Sequence, residues 1–493
     1  MKHIAVLMLM TLLCASPARA LTTVYVSSSL GSDSNAGTLA APWKTINKVR
    51  AAESGMTAGE TVCMRGGDTW QSTGTSGTAS AQLDVAGVTG ASGSPIVFTS
   101  CAGFGSGRWI LDENNTTQYC VDAIGTVAKY VTIDQLECEH AKQQGVTFQT
   151  SGGTMPGITV SNSYIHNTGV GCSNTSAACL GTDTVYTYAN QLDFEDSGQG
   201  ADGVHFINNI VKWGGGHNLL EVHHDTGAVV VQGNIVGPGG VHGNIDVKGI
   251  GATATPALVA NNVCDGGESL GLLGINGGGC SAEGCSVTPC YYTENVYSPH
   301  STVTWQENTG YDVNIGMQIC PGGVAAGHTV QNAYKLYNNT WYLNNNNTST
   351  AAGGSFGGIT CNGPNSGTYN GSTLDLRNNI FDGGATGGNG SVTIANDGGY
   401  TSCTEDYNDI GGVQGNKGYV GCAGSTTLAA HDKNAVNPQY VSASTGDFDF
   451  LAGSALINAG LSGLVTGNGN IGAYAGSGVS TATPGVAVEG WFE

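Results

Sequence analysis

Apolar residues along this chain recur mainly at every second position within short runs, the alternation of strands that bury one face. Three such runs are LDFEDSG (192–198), LEVHHDTG (220–227) and IDVKGIG (245–251). In them Leu192 and Phe194, Leu220 and Val222, and Ile245 and Val247 form the inward set. Other runs lead into asparagine-containing turns: GVHFINNIV (203–211), VVVQGNIVG (229–237), ALVANNVCDGG (257–267), KLYNNTWY (335–342) and LDLRNNIFDGG (374–384). Asn209, Asn234 and Asn262 are spaced by 25 and 28 residues, the length of one coil of a parallel β-helix. Asparagine tolerates the left-handed turn conformation, and its side chain can bond to the next coil. Five matches in register predict one all-β, turn-rich solenoid.

Stacked parallel coils set equivalent residues about 4.8 Å apart, so the outward positions of the three runs form two columns. One holds Asp193, Glu221 and Asp246; the other holds Glu195, His223 and Lys248. Three carboxylates at that separation repel unless a cation lies between them or some are protonated. Hard oxygen ligands on a rigid sheet suit calcium. Lys248 then stands at the end of an acid-lined groove. With an ordinary pKa near 10.4, lysine is a poor base at neutral pH unless a positive neighbour lowers that value. Calcium and a charged His223 could supply one, while the carboxylates push the other way. Without a metal, Lys248 is expected to be a protonated ion-pair partner, and a ladder that only stabilises the solenoid surface is the competing reading. His205, His217, His223, His224 and His242 crowd around these coils, out of 11 histidines in the chain. A transition-metal site from His223, His224 and Asp225 is disfavoured, because neighbouring strand residues point to opposite faces.

Composition narrows the picture. Eighty glycines against 12 prolines would suit disorder, yet 40% of the residues are hydrophobic and fall in strand-like runs throughout. Lys2, the apolar run from Ile4 to Leu13 and Ala18-Arg19-Ala20 read as a secretory signal peptide over residues 1–20. That run is too short to span a membrane, and Leu13 before Cys14 argues against a lipid anchor. A secreted or periplasmic location is expected. Of 15 cysteines, Cys14 leaves with the signal, and the even remainder suits disulfides in an oxidising compartment. Bridges such as Cys172 to Cys179 or Cys403 to Cys422 are compatible with the spacing, and the connectivity stays open. Cys280, Cys285 and Cys290 lack nearby paired histidines, so zinc is not indicated there. A formal net charge of −21 excludes nucleic-acid binding through a basic surface. An acidic polymer would need a local cation or bound metal to neutralise it.

The segment YVSSSLGSDSNAGTLAAPWKTINKVRAAESGMTAGETVCMRGGDTW (25–70) resembles the N-terminal module of secreted right-handed parallel β-helix proteins of the polysaccharide-lyase type. A first strand, a Gly-Ser-Asp turn and a short capping helix lead to the first coil. Trp43, Ile46 and Val49 fall on one face of that helix, which would close the open end of the apolar core. The far end, NPQYVSASTGDFDFLAGSALINAGLSG…NIGAYAGSG (437–478), resembles the closing segment of the same superfamily. The resemblance implies a strand and capping helix over 21–58, a right-handed β-helix over 59–478 and a tail over 479–493. It also implies an enzyme: a polysaccharide lyase working by calcium-assisted β-elimination on a uronic-acid polymer. Carried over by position, Asp193, Glu221 and Asp246 would hold Ca2+ and Lys248 would be the base. His223 would assist it, and Glu195, His224 and His242 would line the substrate site. Asp246-Val247-Lys248 is similar to the lysine-bearing strand of the chondroitinase B and alginate lyase group, and less so to the calcium-dependent pectate lyases. The chain departs from that group's pattern, which has an arginine on the coil after the lysine; LGLLGINGGG (270–279) offers none.

Two other functions compete. A glycoside hydrolase on this scaffold would use Asp193 with Glu221 or Asp246 as acid and base, with Lys248 only binding substrate. A non-catalytic carbohydrate-binding or surface protein would have no turnover to lose on Lys248→Ala. Tyr291, Tyr292 and Trp305 are candidates to stack on sugars, though packing is the commoner role for such residues. Asn115-Thr116-Thr117 is a glycosylation sequon only where exports are glycosylated. The Gly-rich segments lack a Walker lysine and a strand-to-helix context, so a nucleotide-binding fingerprint is not indicated. The expected partner is an acidic polysaccharide, with no nucleic acid and no membrane, and the protein is expected to be a monomer.

Overall fold

Strands this short, each with a single apolar stripe, are stable only when neighbours stack and extend that stripe into a shared core. A computed structural model shows this arrangement. It describes residues 23–73, 81–150, 153–169, 191–196, 203–214, 218–223, 228–237, 243–248, 257–265, 289–292, 302–311, 315–318, 333–342, 359–360, 372–382, 392–393, 400–412, 419–420, 427–443 and 447–473. The signal peptide over 1–20, the tail over 479–493 and Cys172 and Cys179 lie outside the described residues.

Among the described residues, successive coils contribute strands to three long parallel sheets, of nine, twelve and twelve strands, and strands hydrogen-bond to their equivalents one coil away. One coil runs Leu192–Asp196 in the first sheet, Val204–Ile207 in the second and Ile210–Lys212 in the third. The chain then returns to the first sheet as Asn218–His223. This is the expected parallel β-helix. Its interior is filled by Phe148, Phe194, Phe206, Trp109, Trp305 and Trp341, all fully buried. Trp305 is therefore core, not a sugar platform.

The turn between the second and third sheets carries a ladder of buried asparagines: Asn209, Asn234, Asn262, Asn308, Asn339, Asn379 and Asn408. The Asn234 amide donates to Asn262 Oδ1 and to the Phe206 carbonyl of the preceding coil, each at 2.9 Å. Its Oδ1 accepts from the backbone and side-chain amides of Asn209. All four of its side-chain hydrogen-bonding positions are thus filled. One expectation is corrected: a single asparagine does not serve both turn and ladder. The left-handed residue is the one before, as at Asn208, Asn261, Asn338 and Asn378 or Gly233, Glu307 and Tyr407. Positive φ turns the chain, and the next residue then points inward to bond across coils.

The N-terminal strand Thr23–Val26 pairs in parallel with Thr61–Gly66, so it starts the second sheet. The helix Ile46–Glu53 buries Ile46 and Val49, with Trp43 packed beside them. Thr45 caps it, accepting from the Lys48 amide at 3.1 Å and donating to Asp33 Oδ2 at 2.7 Å. At the far end, the antiparallel pair Tyr440–Ser442 and Asp447–Phe450 belongs to a smaller apolar cluster of Ile380, Phe450, Leu456 and Ile471. Disulfides join Cys63 to Cys101 and Cys120 to Cys138. Cys264 and Cys403 are also disulfide-bonded. No helix among the described residues is long and apolar enough to cross a membrane.

Candidate active site on the nine-stranded sheet

The first sheet sets Leu192 beside Leu220 and Ile245, and Phe194 beside Val222 and Val247, with all six side chains in the core. The alternation then stacks the other positions. Asp193 pairs in register with Glu221, and Glu221 with Asp246. Glu195 pairs with His223, and His223 with Lys248, in a parallel second column. The acid column extends beyond the expected three residues. Thr147, Asp122 and Asp84 precede Asp193 in register, and Tyr292 follows Asp246.

The acids are not on an open face, as the bare alternation implies. Asp193 is 1% exposed, Glu221 4% and Asp246 0%. Polar side chains replace water around them, as burial of a carboxylate requires. Asp193 Oδ2 accepts from Gln144 Nε2 at 3.1 Å, Thr147 Oγ1 at 2.9 Å and Gln149 Nε2 at 2.5 Å. Asn218 Nδ2 donates to Glu221 Oε2 at 2.7 Å and to Asp246 Oδ2 at 3.0 Å. His223 Nδ1 lies 3.6 Å from Glu221 Oε1. The side chains of Glu195 and Lys248, and all of His217, His224 and His242, lie outside the described residues. His205 stands on the second sheet and His223 on the first.

Gln144, Thr147, Gln149, Asn218, Asp122 and Tyr119 are the neighbours that sequence reasoning missed. Thr147 and Asp122 were recoverable, since VTFQT and YCVDAI share the alternation. The amides carry no periodic signal. The Tyr119 hydroxyl bonds to Gln143 Oε1 at 2.8 Å, and its pKa is raised by burial first, then by Asp122 and Asp193. At the column's start, burial, with Asp84 and Asp122 adding to it, pushes the Glu53 carboxyl up to about 8.

Glu221 and Asp246 converge on one point, now filled by the partly positive amide of Asn218, and the acidic donors are all carboxylate oxygens, as calcium prefers. Asp193, the third expected ligand, stands next to Glu221 in register, with its Oδ2 bonded to Gln144, Thr147 and Gln149.

Comparison with solved structures places the fold. Over 92% of this chain and 96% of the other, the structure is similar to that of pectate lyase Pel9A, with a TM-score of 0.53 and 15% identity. A lacto-N-biosidase from Eubacterium ramulus aligns over 78% of this chain and 67% of its own, at 14% identity and a TM-score of 0.46. An alginate lyase from a Paenibacillus species aligns over 71% and 94%, at 12% and 0.37. The first likeness identifies the architecture as a parallel β-helix; at such identity it speaks for fold alone. No protein-family model matches the chain, nor does any curated protein sequence.

Proposed function

We propose that this protein is an exported polysaccharide lyase that cleaves a uronic-acid polymer by β-elimination. The observation that carries the reading is the register of Asp193, Glu221 and Asp246 on three consecutive coils, with Lys248 beside the last of them. Such a column binds a divalent cation where a polymer of acidic sugars must be neutralised in an otherwise acidic molecule. Bound calcium would offset the charge of the uronate carboxylate and acidify the proton on C5. Asp193, Glu221 and Asp246 hold the site together, and Gln144, Thr147, Gln149 and Asn218 fix the carboxylate orientations. Lys248 removes the C5 proton, the electron pair forms the C4–C5 double bond, and the glycosidic C4–O bond breaks, the departing oxygen taking a proton from solvent to become a hydroxyl. His223, one coil from Lys248 in register, is the neighbour whose positive charge, when it is protonated, would favour a neutral amine. Glu195, His224 and His242 are assigned to substrate binding in this reading.

A hydrolase reading draws on the same register, which sets acids on adjacent coils one strand spacing, about 4.8 Å, apart along the backbone, near the roughly 5–5.5 Å carboxyl separation of retaining enzymes. The products distinguish the two. Alginate, pectate, glucuronan and chondroitin, each incubated with the protein with and without chelator, should give ultraviolet-absorbing unsaturated uronate from one polymer, and only when calcium is present. Reducing ends without unsaturation would establish hydrolysis instead, and silence across the four would remove the catalytic reading.

A further inference from the structure

A second cluster lies on the outer face of the third sheet, in the two coils that precede Asp193. The strand Leu136–Glu139 alternates Leu136 and Cys138 inward with Glu137 and Glu139 outward. The next strand, Tyr164–His166, sets Tyr164 beside Glu137 and His166 beside Glu139. His166 is 7% exposed, and its Nε2 makes no hydrogen bond. That nitrogen lies 3.5 Å from Glu137 Oε1 and 3.9 Å from Glu139 Oε2, and one donor atom from each of the three residues lies within 4.8 Å of the others.

These distances do not describe a closed ion pair. A charged imidazole draws a carboxylate oxygen to about 2.8 Å. Neighbouring His140 shows such a closed contact, with Nδ1 at 2.9 Å from Asp112 Oδ1. Around His166 the gap is wider, and it matches ligands on a shared ion: bonds of about 2.1 Å in tetrahedral array put donors roughly 3.4 Å apart. Two carboxylates also neutralise one divalent charge, which a partly buried site requires. The Tyr164 ring stacks on the imidazole at 3.9 Å between centroids and fixes its plane. One imidazole nitrogen with two carboxylates suits zinc-like ions over calcium, which takes six to eight oxygens.

We propose that Glu137, Glu139 and His166 form a three-ligand site for a divalent transition metal, separate from the acid column and built by two adjacent coils. Co2+, which reports its ligands through visible absorbance, is the probe. Titrated into the full chain after chelator treatment, it should give a ligand-field band that saturates at one equivalent. His166→Gln and Glu139→Gln should each weaken that binding about tenfold or more, with unchanged circular dichroism. Glu221→Gln should keep the band. No band in the unmodified protein overturns the proposal. So does a band kept by both His166→Gln and Glu139→Gln, or one lost only in Glu221→Gln.

Discussion

At the scale of single residues, adjacent asparagines with the same chemistry do different work. Asn261 supplies a left-handed φ of 54°, whereas Asn262 bonds Asn308 and the Val231 carbonyl. Substitutions should separate them. Asn234→Ala removes a fully satisfied buried amide and leaves groups on both neighbouring coils unpaired, at a cost of about 2–4 kcal/mol. Asn261→Gly keeps the turn and should change stability by less than about 1 kcal/mol. Urea denaturation of the two variants checks this; equal losses would show that the ladder bonds contribute little. The ladder was half legible in the sequence. Its period stood out in Asn209, Asn234 and Asn262, but Asn308 and Asn408 follow Glu307 and Tyr407 and so lack the paired signature. The site shows the same limit. Periodicity gave Asp193, Glu221 and Asp246, but the partners Gln144, Gln149 and Asn218 hold their positions through folding alone.

At the scale of elements, strand alternation and coil length together determined which side chains stand in line. A one-residue slip would have turned the acids into the core; Phe194, Val222 and Val247 lock the register against it. Burial was not legible, because alternation marks a face as polar without showing what covers it. The cluster of Glu137, Glu139 and His166 escaped notice for a related reason: LECEH and YIH are short, and neither shows a ligand motif until their coils are stacked. The capping helix depends on Thr45, which satisfies Lys48 and is itself held by Asp33. Thr45→Ala should cost about 1 kcal/mol and expose that end of the core first. Hydrogen exchange should show faster opening of Ile46–Glu53 and Thr23–Val26, with later coils unchanged; uniform loosening would mean the cap does not act locally.

At the scale of the whole molecule, the acidic chain buries several carboxyls that it keeps protonated. Burial pushes Glu53, Glu113 and Asp409 each up to about 8. Between roughly pH 4 and 8 the unfolded chain has lost these protons while the folded one retains them, so stability falls as pH rises through that window. Asp33, Asp68, Asp112 and Asp406 run the other way: burial raises them, but hydrogen bonds outweigh it and hold them below the ordinary value. Their stabilisation is lost as pH falls below about 4. Melting temperature should therefore peak near about pH 4–5 and decline toward pH 8, and Glu113→Gln should flatten the alkaline decline. A melting temperature that climbs steadily to pH 8 would contradict this balance.

The central claim is that three coils of one sheet line up carboxylates that hold a cation for elimination. Its most direct test is the rate of unsaturated uronate formation on the responsive polymer, measured against free calcium for the unmodified protein and for Glu221→Gln. The account predicts no rate in chelator, recovery on adding calcium, and a half-saturating calcium concentration at least about tenfold higher in the variant. Full activity in chelator, or the same calcium dependence in both proteins, would contradict it.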